Sequence, residues 1–371
     1  MTAWIDRYVA ADASGGNNGE TPSAPWTLAE AISNKSDHQR VNIKRGAYTR
    51  ANSTVNESNY WWRGYQYTPG DLDNAFVGDK TAQTDIPEIE ITSGHLRVAG
   101  TGFNLSGLVF TNDSSSDPAL EDDVESSFRV NCRFISTGAS NTKNVVEIDS
   151  SKDGITYVNC EFSGNTCSGS TKPIISASDE RHFIGCVFKQ TDATGNWMGL
   201  SQSNGTLTNC LFQDLDIGVG FSVHARDISN NTFYNISGNA IQGQITANAK
   251  ATVIRHNYFH TIGGYCIGNW SGSTSGNKSL YIANNVRYNS PDFLEYSDNV
   301  AINDIVDSSD PFEDAAAGDF RLKSTSSGYQ LLQGGYWRAD MARYANAGAA
   351  QAECTGSGGG SSVSVHPLYL N

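Results

Sequence analysis

Several features that mark other protein classes are missing from this sequence. No apolar run approaches the roughly 20 residues that a membrane-spanning helix needs, so none is predicted. Lys and Arg number 25 against 39 Asp and Glu, and the net charge of −14 disfavours nucleic acid as a partner. The seven cysteines form no CxxC pair, so neither a zinc site nor a disulfide framework is predicted. We also expect no cofactor. The chain begins without the features of a secretory signal, which predicts folding in a cytoplasm with reduced thiols.

A short motif recurs along the chain. It reads NCRF at 131–134, NCEF at 159–162, GCVF at 185–188 and NCLF at 209–212, and altered copies extend the series. The copies recur about every two dozen residues when aligned on Phe110, Phe134, Phe162, Phe188, Phe212, Phe233, Phe259 and Arg287. This spacing is typical of one coil of a parallel β-helix, with three short strands and three turns.

The residues two positions before each phenylalanine form a second series. Equivalent residues of successive β-helix coils stack about 4.8 Å apart. Cysteine can fill an inward corner as a small apolar residue, and a buried asparagine can hydrogen-bond to its neighbours above and below. We therefore predict a buried structural ladder made of Cys132, Cys160, Cys186, Cys210, Asn231, Asn257 and Asn285.

Each coil also contains a segment in which apolar and polar residues alternate. Period-two alternation predicts a strand with one buried face, so the polar residues form a flat exposed face. The sequence assigns to this face Glu147, Asp149, Ser176, Ser178, Ser201, Ser222, His224, Gln242, Gln244 and Trp270. Because an aromatic ring can serve as a platform for a sugar, we interpret the last four of the set, His224, Gln242, Gln244 and Trp270, as a candidate glycan-binding group.

Carboxylate pairs are the only candidates for catalysis. Glycoside hydrolysis needs two carboxylates flanking the scissile bond. Glu147 and Asp149 lie two residues apart on one predicted strand, with about 6.6 Å between their Cα atoms. Asp214 and Asp216 form a second pair. Outward carboxylates on strands are more often solvated surface, so the sequence favours a protein without enzymatic activity.

Both ends of an open β-helix need covers, because exposed strand edges would pair with other chains. Thr27 and Glu30 have the spacing of a capping box, which predicts a short helix over the first coil. The acidic segment with Asp304, Asp307 and Asp310 lacks the spacing of a calcium loop and is interpreted as a solvated loop.

The end of the chain differs in composition from the repeats. Residues 1–100 are interpreted as an N-terminal cap and first coils, 101–300 as β-helix coils, 301–355 as a C-terminal cap, and 356–371 as a Gly/Ser linker and tail. The tail is too apolar for a free terminus, and the linker would let it reach a neighbour. It is predicted to be a docking arm with the contact residues Val363, Val365, Leu368, Tyr369 and Leu370.

Two parts of the sequence resemble a known superfamily. The opening YVAADASGGNNGETPSAPWTLAEAI, with VNIKRGAYT and RGYQYTPGD, resembles the start of many right-handed parallel β-helix proteins. DPFEDAAAGDFRLKSTSSG and NAGAAQ are similar to their closing segment. The resemblance implies an all-β fold, a right-handed parallel β-helix (solenoid) with a short N-terminal capping helix, to which the composition of the tail adds a flexible C-terminal arm. The superfamily includes secreted pectate lyases, other polysaccharide enzymes, bacteriophage tailspikes and non-enzymatic virion proteins.

The chain departs from the enzymes of this superfamily in its motifs. It lacks the Trp-Ile-Asp-His and Arg-x-Pro-x-x-Arg stretches that pectate lyases share, and the Asp-Asp pair with Gly-His of polygalacturonases. Reduced thiols and the missing signal fit a bacteriophage virion protein made in the host cytoplasm.

Two main hypotheses follow. The first is a non-enzymatic structural component of the virion, a capsid decoration or tail-associated protein, forming a homotrimer and contacting other virion proteins through its arm. The alternative is a tailspike-like module that binds host surface polysaccharide or cleaves it as a glycoside hydrolase or lyase. A bacterial surface protein is a third possibility.

Overall fold

The computed structural model describes residues 4–72, 85–114, 116–138, 143–148, 154–165, 172–192, 196–222, 226–244, 252–269, 280–295, 301–317 and 319–327. These residues are almost entirely β-structure, with one short α-helix and one short 3-10 helix. The strands of successive coils pair in parallel, and each pairing joins residues about one repeat apart. The all-β parallel β-helix predicted from the sequence is therefore confirmed.

The elements follow one another in short segments along the chain. The helices are α1 (Leu28–Ser33) and the 3-10 helix η1 (Ala315–Ala317). The strands are β1 (Ile5–Val9), β2 (Gln39–Lys44), β3 (Gly46–Asn56), β4 (Tyr60–Tyr65), β5 (Pro87–Thr101), β6 (Phe103–Ser106), β7 (Val109–Asn112), β8 (Leu120–Glu125), β9 (Ser127–Val130), β10 (Arg133–Ser136), β11 (Val146–Ile148), β12 (Ile155–Val158), β13 (Glu161–Gly164), β14 (Lys172–Ile184), β15 (Val187–Gln190), β16 (Trp197–Thr208), β17 (Leu211–Leu215), β18 (Ile217–Ser222), β19 (Arg226–Ser229), β20 (Thr232–Ile236), β21 (Ile241–Gln244), β22 (Thr252–Arg255), β23 (Tyr258–Ile262), β24 (Ile267–Asn269), β25 (Leu280–Ala283), β26 (Val286–Tyr288), β27 (Ala301–Ile302), β28 (Ile305–Val306), β29 (Phe312–Asp314) and β30 (Asp319–Leu322).

The strands of successive coils form three parallel sheets. Sheet 1 contains the first halves of β3 and β5, then β7, β10, β13, β15, β17, β20, β23, β26 and β28. Sheet 2 contains the second halves of β3 and β5, then β8, β11, the first halves of β14 and β16, β18, β21 and β24. Sheet 3 contains β1, β2, β4, β6, β9, β12, the second halves of β14 and β16, β19, β22, β25 and β27.

One backbone conformation recurs at the turn from sheet 3 to sheet 1. The residue there has a φ angle between 52° and 65° in nine coils: Gly107, Asn131, Asn159, Gly185, Asn209, Asn230, His256, Asn284 and Asn303. Glycine and asparagine adopt this left-handed conformation more readily than other residues do. The first letter of the recurring motif is therefore a turn residue, and the cysteine and phenylalanine that follow it point inward.

Stacked side chains fill the interior. The rings of Phe110, Phe134, Phe162, Phe188, Phe212, Phe233 and Phe259 form one continuous column. Neighbouring ring centroids are 4.7–5.5 Å apart, and their planes differ by at most 17°. All seven rings are fully buried. The number of residues from one phenylalanine to the next is therefore the length of one coil around a shared core.

The ladder residues form a column beside the rings. Cys132, Cys160, Cys186 and Cys210 are buried free thiols, and burial raises the pKa of the first three. Asn231 Nδ2 donates to Asn257 Oδ1 at 3.0 Å, and Asn257 Nδ2 donates to Asn285 Oδ1 at 3.0 Å. The buried ladder predicted from the sequence is therefore present in the fold.

The asparagine part of the ladder has defined ends. Where the cysteines stop, Cys210 N–H donates to Asn231 Oδ1 at 2.9 Å. At the other end Asp304 Oδ1 accepts the backbone N–H of Asn285 at 2.7 Å and its Nδ2 at 3.2 Å. Burial raises the pKa of Asp304, although these two hydrogen bonds oppose the shift. Asp304 is therefore the last rung of the ladder.

A buried ion pair crosses the interior between sheets 2 and 3. Arg129 donates to both carboxylate oxygens of Asp122, at 2.9 Å through Nε and 2.6 Å through Nη2. Tyr157 Oη donates to Asp122 at 2.8 Å, and Arg129 Nη1 donates to the carbonyl of Phe103. None of the Arg129, Asp122 or Tyr157 side chains is exposed. This pair was not predicted from the sequence, because Asp122 lies in a run of acidic residues that is typical of a surface.

Helix α1 covers the first coil, as predicted. Thr27 Oγ1 accepts the N–H of Glu30 at 3.1 Å, and the Glu30 carboxylate accepts the N–H of Thr27 at 2.8 Å. These bonds form the expected capping box, and Leu28, Ala31 and Ile32 are buried beneath the helix. The helix therefore closes one end of the core.

The acidic segment after residue 303 is a structured cap, and its interpretation as a solvated loop is wrong. Asp307 is buried and accepts the N–H of Ser327 at 2.9 Å. Asp310 Oδ1 lies 3.1 Å from His260 Nε2. The carboxylates in this segment therefore attach the C-terminal cap to the last coils.

The antiparallel pair β29–β30 folds back over the outside of sheet 1, and we call residues 312–322 the C-terminal hairpin. Phe312 and Phe320 pack in one cluster with Val187, Leu211, Tyr258 and Val286. The predicted docking arm, with its contact residues from Val363 to Leu370, lies outside the described residues. No helix in the described part of the chain is long and apolar enough to cross a membrane.

Candidate functional site

The outer faces of the three sheets differ in their chemistry. Sheet 1 is covered at one end by Leu72 and Ile86, which pack on Val109, and at the other end by the C-terminal hairpin. Sheet 3 has a mixed outer surface, in which Phe128, Val130, Val158 and Ile184 lie between the ion pairs Asp6–Arg40 and Asp227–Arg255. Sheet 2 is polar and matches the flat polar face expected from the alternation in the sequence.

A single outward register position of sheet 2 is polar or glycine on nine successive strands. In chain order it contains Thr54, Arg97, Glu121, Glu147, Ser176, Ser201, Gly220, Gln242 and Gly268, and we call it the polar column. Its polar side chains are half-buried or exposed, whereas the preceding position on each strand from β8 to β24 is a buried aliphatic residue. The polar column therefore lies on the solvent side of sheet 2, and the buried aliphatic residues beside it lie on the core side.

The first half of the polar column carries charge. Glu121 Oε2 lies 2.6 Å from His95 Nε2, and its Oε1 lies 3.4 Å from Arg97 Nε. Arg97 also pairs with Asp123, which is almost fully buried. Glu121 is therefore held in position by two neighbouring side chains on β5.

Glu147 follows Glu121 in register on the next strand. Neighbouring strands are about 4.8 Å apart, so the two carboxylates come from backbone positions at that separation. Glu147 also lies 3.6 Å from Lys143 through Oε2 and Nζ. The sequence pattern paired Glu147 with Asp149, whereas the structure provides Glu121 as its neighbour in register.

Of the four predicted glycan-binding residues, only Gln242 has a side chain among the described residues. Gln242 lies in the polar column. Gln244 is part of β21, but its side chain lies outside the described residues, as do Asp149, His224 and Trp270. The glycan-binding group as a whole stays a prediction.

Asp214 and Asp216, the second predicted carboxylate pair, lie at the end of β17. Asp214 has a φ angle of 55° and accepts Asn235 Nδ2 at 2.6 Å. Asp216 Oδ1 accepts the hydroxyl of Ser237 at 2.9 Å. Each carboxylate thus accepts a hydrogen bond from the equivalent position of the next coil, at the end of β20.

A charged cluster on sheet 1 was missed in the sequence. Glu161 Oε1 lies 3.1 Å from Arg133 Nη2 and 3.0 Å from Lys189 Nζ, on three successive strands. Burial raises the pKa of the Glu161 carboxyl, but the two cations outweigh it and hold the pKa below its ordinary value. Arg133 and Glu161 are register partners, whereas Lys189 lies two positions beyond Val187, the partner of Glu161 on β15, and reaches Glu161 diagonally.

The carboxylates and histidines of these clusters do not assemble into a metal centre. Within the described ranges, no group of three or more His, Cys, Asp or Glu side chains is arranged to hold a metal ion. The polar column can exchange hydrogen bonds with a ligand along its length, and it presents two adjacent carboxylates at its charged end.

Comparison with known proteins identifies the fold but no family. No protein-family model and no curated protein sequence matches this chain. Among solved structures, pectate lyase Pel9A is 14% identical with a TM-score of 0.63, over 88% of this chain and 91% of that one. A PL6 family polysaccharide lyase from Pseudopedobacter saltans is 10% identical with a TM-score of 0.38, over 80% of this chain and 94% of that one. The likeness to the pectate lyase shows that this chain shares the parallel β-helix fold.

Proposed function

We propose that this protein binds a linear polysaccharide that lies along the polar column of sheet 2. The observation that carries the proposal is the unbroken column itself, which has no apolar side chain on nine successive strands. Eight inter-strand steps make it about 38 Å long. A track of this length suits an extended chain better than a compact small molecule.

The chemistry of the polar column suits sugar hydroxyl groups. The hydroxyls of Ser176 and Ser201 and the amide of Gln242 can each donate and accept hydrogen bonds. Gly220 adds no side chain between Ser201 and Gln242, and the Asn239 amide lies against Gly268 where a side chain would otherwise stand. The uncharged half of the column therefore presents small polar groups and amides along its length.

The charged half offers acceptors and a place for chemistry. Glu121 and Glu147 stand on neighbouring strands, and retaining glycosidases hold their two carboxyl groups about 5 Å apart. His95 and Arg97 orient Glu121. Glu121 and Glu147 therefore form the carboxylate pair that lies nearest to a polysaccharide bound along the charged half of the column.

The comparisons support this proposal through the fold alone, since a pectate lyase with the same architecture acts on a polysaccharide. The virion role, the homotrimer and the docking arm stay predictions from the sequence.

Filling the polar column is expected to weaken glycan binding. Ser201 is half-buried in the middle of the column, so the variant Ser201→Trp places an indole across the track. We expect at least a tenfold loss of affinity, about 1.4 kcal/mol. The measurement is calorimetric titration with the bacterial capsule or O-antigen oligosaccharide that binds best on a glycan array.

The matched control is Gln213→Trp on β17, where Gln213 lies half-buried in sheet 1. It should bind the same oligosaccharide as the unmodified chain does. Equal affinity of Ser201→Trp and the unmodified chain, or no binding on any array by the unmodified chain, would contradict the proposal.

A further inference from the structure

Six successive residues of the buried ladder donate a side-chain hydrogen bond to the preceding coil. The acceptor is always the carbonyl three residues before the ladder residue of that coil. The thiols donate at 3.3–3.5 Å and the amides at 2.9–3.2 Å. In chain order, donor and acceptor are Cys160 and Arg129, Cys186 and Tyr157, Cys210 and Phe183, Asn231 and Leu207, Asn257 and Ile228, and Asn285 and Ile254.

Asp304 occupies the next position of the ladder, but it carries a carboxyl group where the others carry a donor. Its Oδ1 replaces the amide oxygen, because it accepts the backbone N–H and the Nδ2 of Asn285. Its Oδ2 replaces the donor, and the equivalent acceptor is the carbonyl of Ile282, three residues before Asn285. Oδ2 is buried and has no hydrogen-bond partner among the described residues. An ionised carboxylate only accepts hydrogen bonds, so it would set an anionic oxygen against a carbonyl oxygen.

The charged and titratable groups around Asp304 do not compensate a negative charge there. Among the described residues, no Lys, Arg or His forms an ion pair with it. Arg287, on β26, lies 3.6 Å from Asp292 through Nη2 and Oδ1. Burial raises the pKa of the neighbouring Cys266 thiol, and Asp304 adds to that shift. The next charged group on its own segment is a second carboxylate, Asp307.

We infer that Asp304 is held as the neutral carboxylic acid and that its Oδ2–H donates to the carbonyl of Ile282. One proton thus supplies the donor that a thiol or an amide supplies in the earlier coils. Asp304 lies between β27 and β28, which are two residues long each and contribute few backbone hydrogen bonds. The ladder therefore ends in a proton-dependent attachment of the last coil.

This attachment weakens as the pH rises. Burial raises the pKa of Asp304 above its ordinary value of 3.8, and the hydrogen bonds from Asn285 oppose the shift only in part. A group whose pKa is higher in the folded chain stabilises the fold fully below its unfolded pKa. It loses this contribution as the pH rises through its folded pKa. The last coil should therefore open more often at neutral pH than in mild acid.

Hydrogen–deuterium exchange of the full chain, measured by mass spectrometry on peptides that cover residues 301–306, tests the inference. Asp304→Asn supplies the donor at every pH. At pH 8 these amides should exchange about tenfold more slowly in Asp304→Asn than in the unmodified chain, the factor that one unit of pKa shift represents. At pH 4 the two chains should exchange at about the same rate. Comparing them at the same pH removes the intrinsic effect of pH on exchange.

The matched control is Asp113→Asn, which removes the charge of an exposed aspartate after β7. It should exchange like the unmodified chain at both pH values. Asp304→Ala lacks both donor and acceptor, so it should exchange faster than Asp304→Asn at both. The inference is overturned if Asp304→Asn does not slow exchange at pH 8, or slows it equally at pH 4. Failure of Asp304→Asn to fold, judged by circular dichroism, also overturns it, because asparagine supplies the donor.

Discussion

Replacing Arg129 with methionine is expected to lower the free energy of unfolding by about 3–5 kcal/mol. The substitution keeps most of the side-chain volume but leaves the Asp122 carboxylate charged in the core, where the hydroxyl of Tyr157 still donates to it. Its two charge-assisted bonds from Arg129, at 2.9 and 2.6 Å, are lost. Urea unfolding followed by circular dichroism measures the change.

A double variant separates the effect of the unpaired charge on stability from the effect of the changed side-chain volume. Arg129→Met combined with Asp122→Leu removes both charges, so it should recover most of the stability that the single variant loses. If Arg129→Met alone unfolds at the same urea concentration as the unmodified chain, the pair is solvated and the description of the interior is wrong.

Asn257→Leu is expected to lower the free energy of unfolding by about 3 kcal/mol or more. Asn257 Oδ1 accepts both the backbone N–H and the Nδ2 of Asn231, each at 3.0 Å. Its own Nδ2 donates to Asn285 Oδ1 at 3.0 Å and to the carbonyl of Ile228 at 2.9 Å. Leucine keeps the size but leaves these buried groups without their partner.

The control for this substitution is Gln242→Leu in the polar column. Gln242 is half-buried on the outside, so the change should stay within about 0.5 kcal/mol. Thermal midpoints of the two variants make the comparison. A midpoint of Asn257→Leu that equals that of the unmodified chain would show that the column is open to water.

The inward residues that repeat in every coil are predicted from the sequence, whereas contacts that occur once are not. The phenylalanine spacing reports the coil length, because each Phe stacks on the equivalent Phe one coil away. The asparagine or glycine before each ladder cysteine is also periodic, but its left-handed backbone conformation belongs to the turn and does not follow from the spacing of the inward residues. Asp304 continues the ladder in place of an asparagine, so its role is visible only when its register with Asn285 is known.

The contacts that form the candidate site join residues of different coils, and the register between strands determines which residues meet. The alternating pattern predicts that Glu147 faces outward, whereas its neighbour Glu121 lies one repeat earlier, in the acidic run around Asp122. Arg133 and Glu161 each precede an aligned phenylalanine, so the repeat itself brings them into register. Lys189 follows Phe188 instead, so its diagonal contact with Glu161 becomes visible only in the structure.

The most direct test of the central claim is a crystal structure of the full chain with the oligosaccharide that binds best on the array. We predict sugar density along sheet 2, with hydroxyl groups within hydrogen-bond distance of Ser176, Ser201 and Gln242. Density confined to sheet 1, beside Arg133 and Lys189, or to sheet 3 would contradict it.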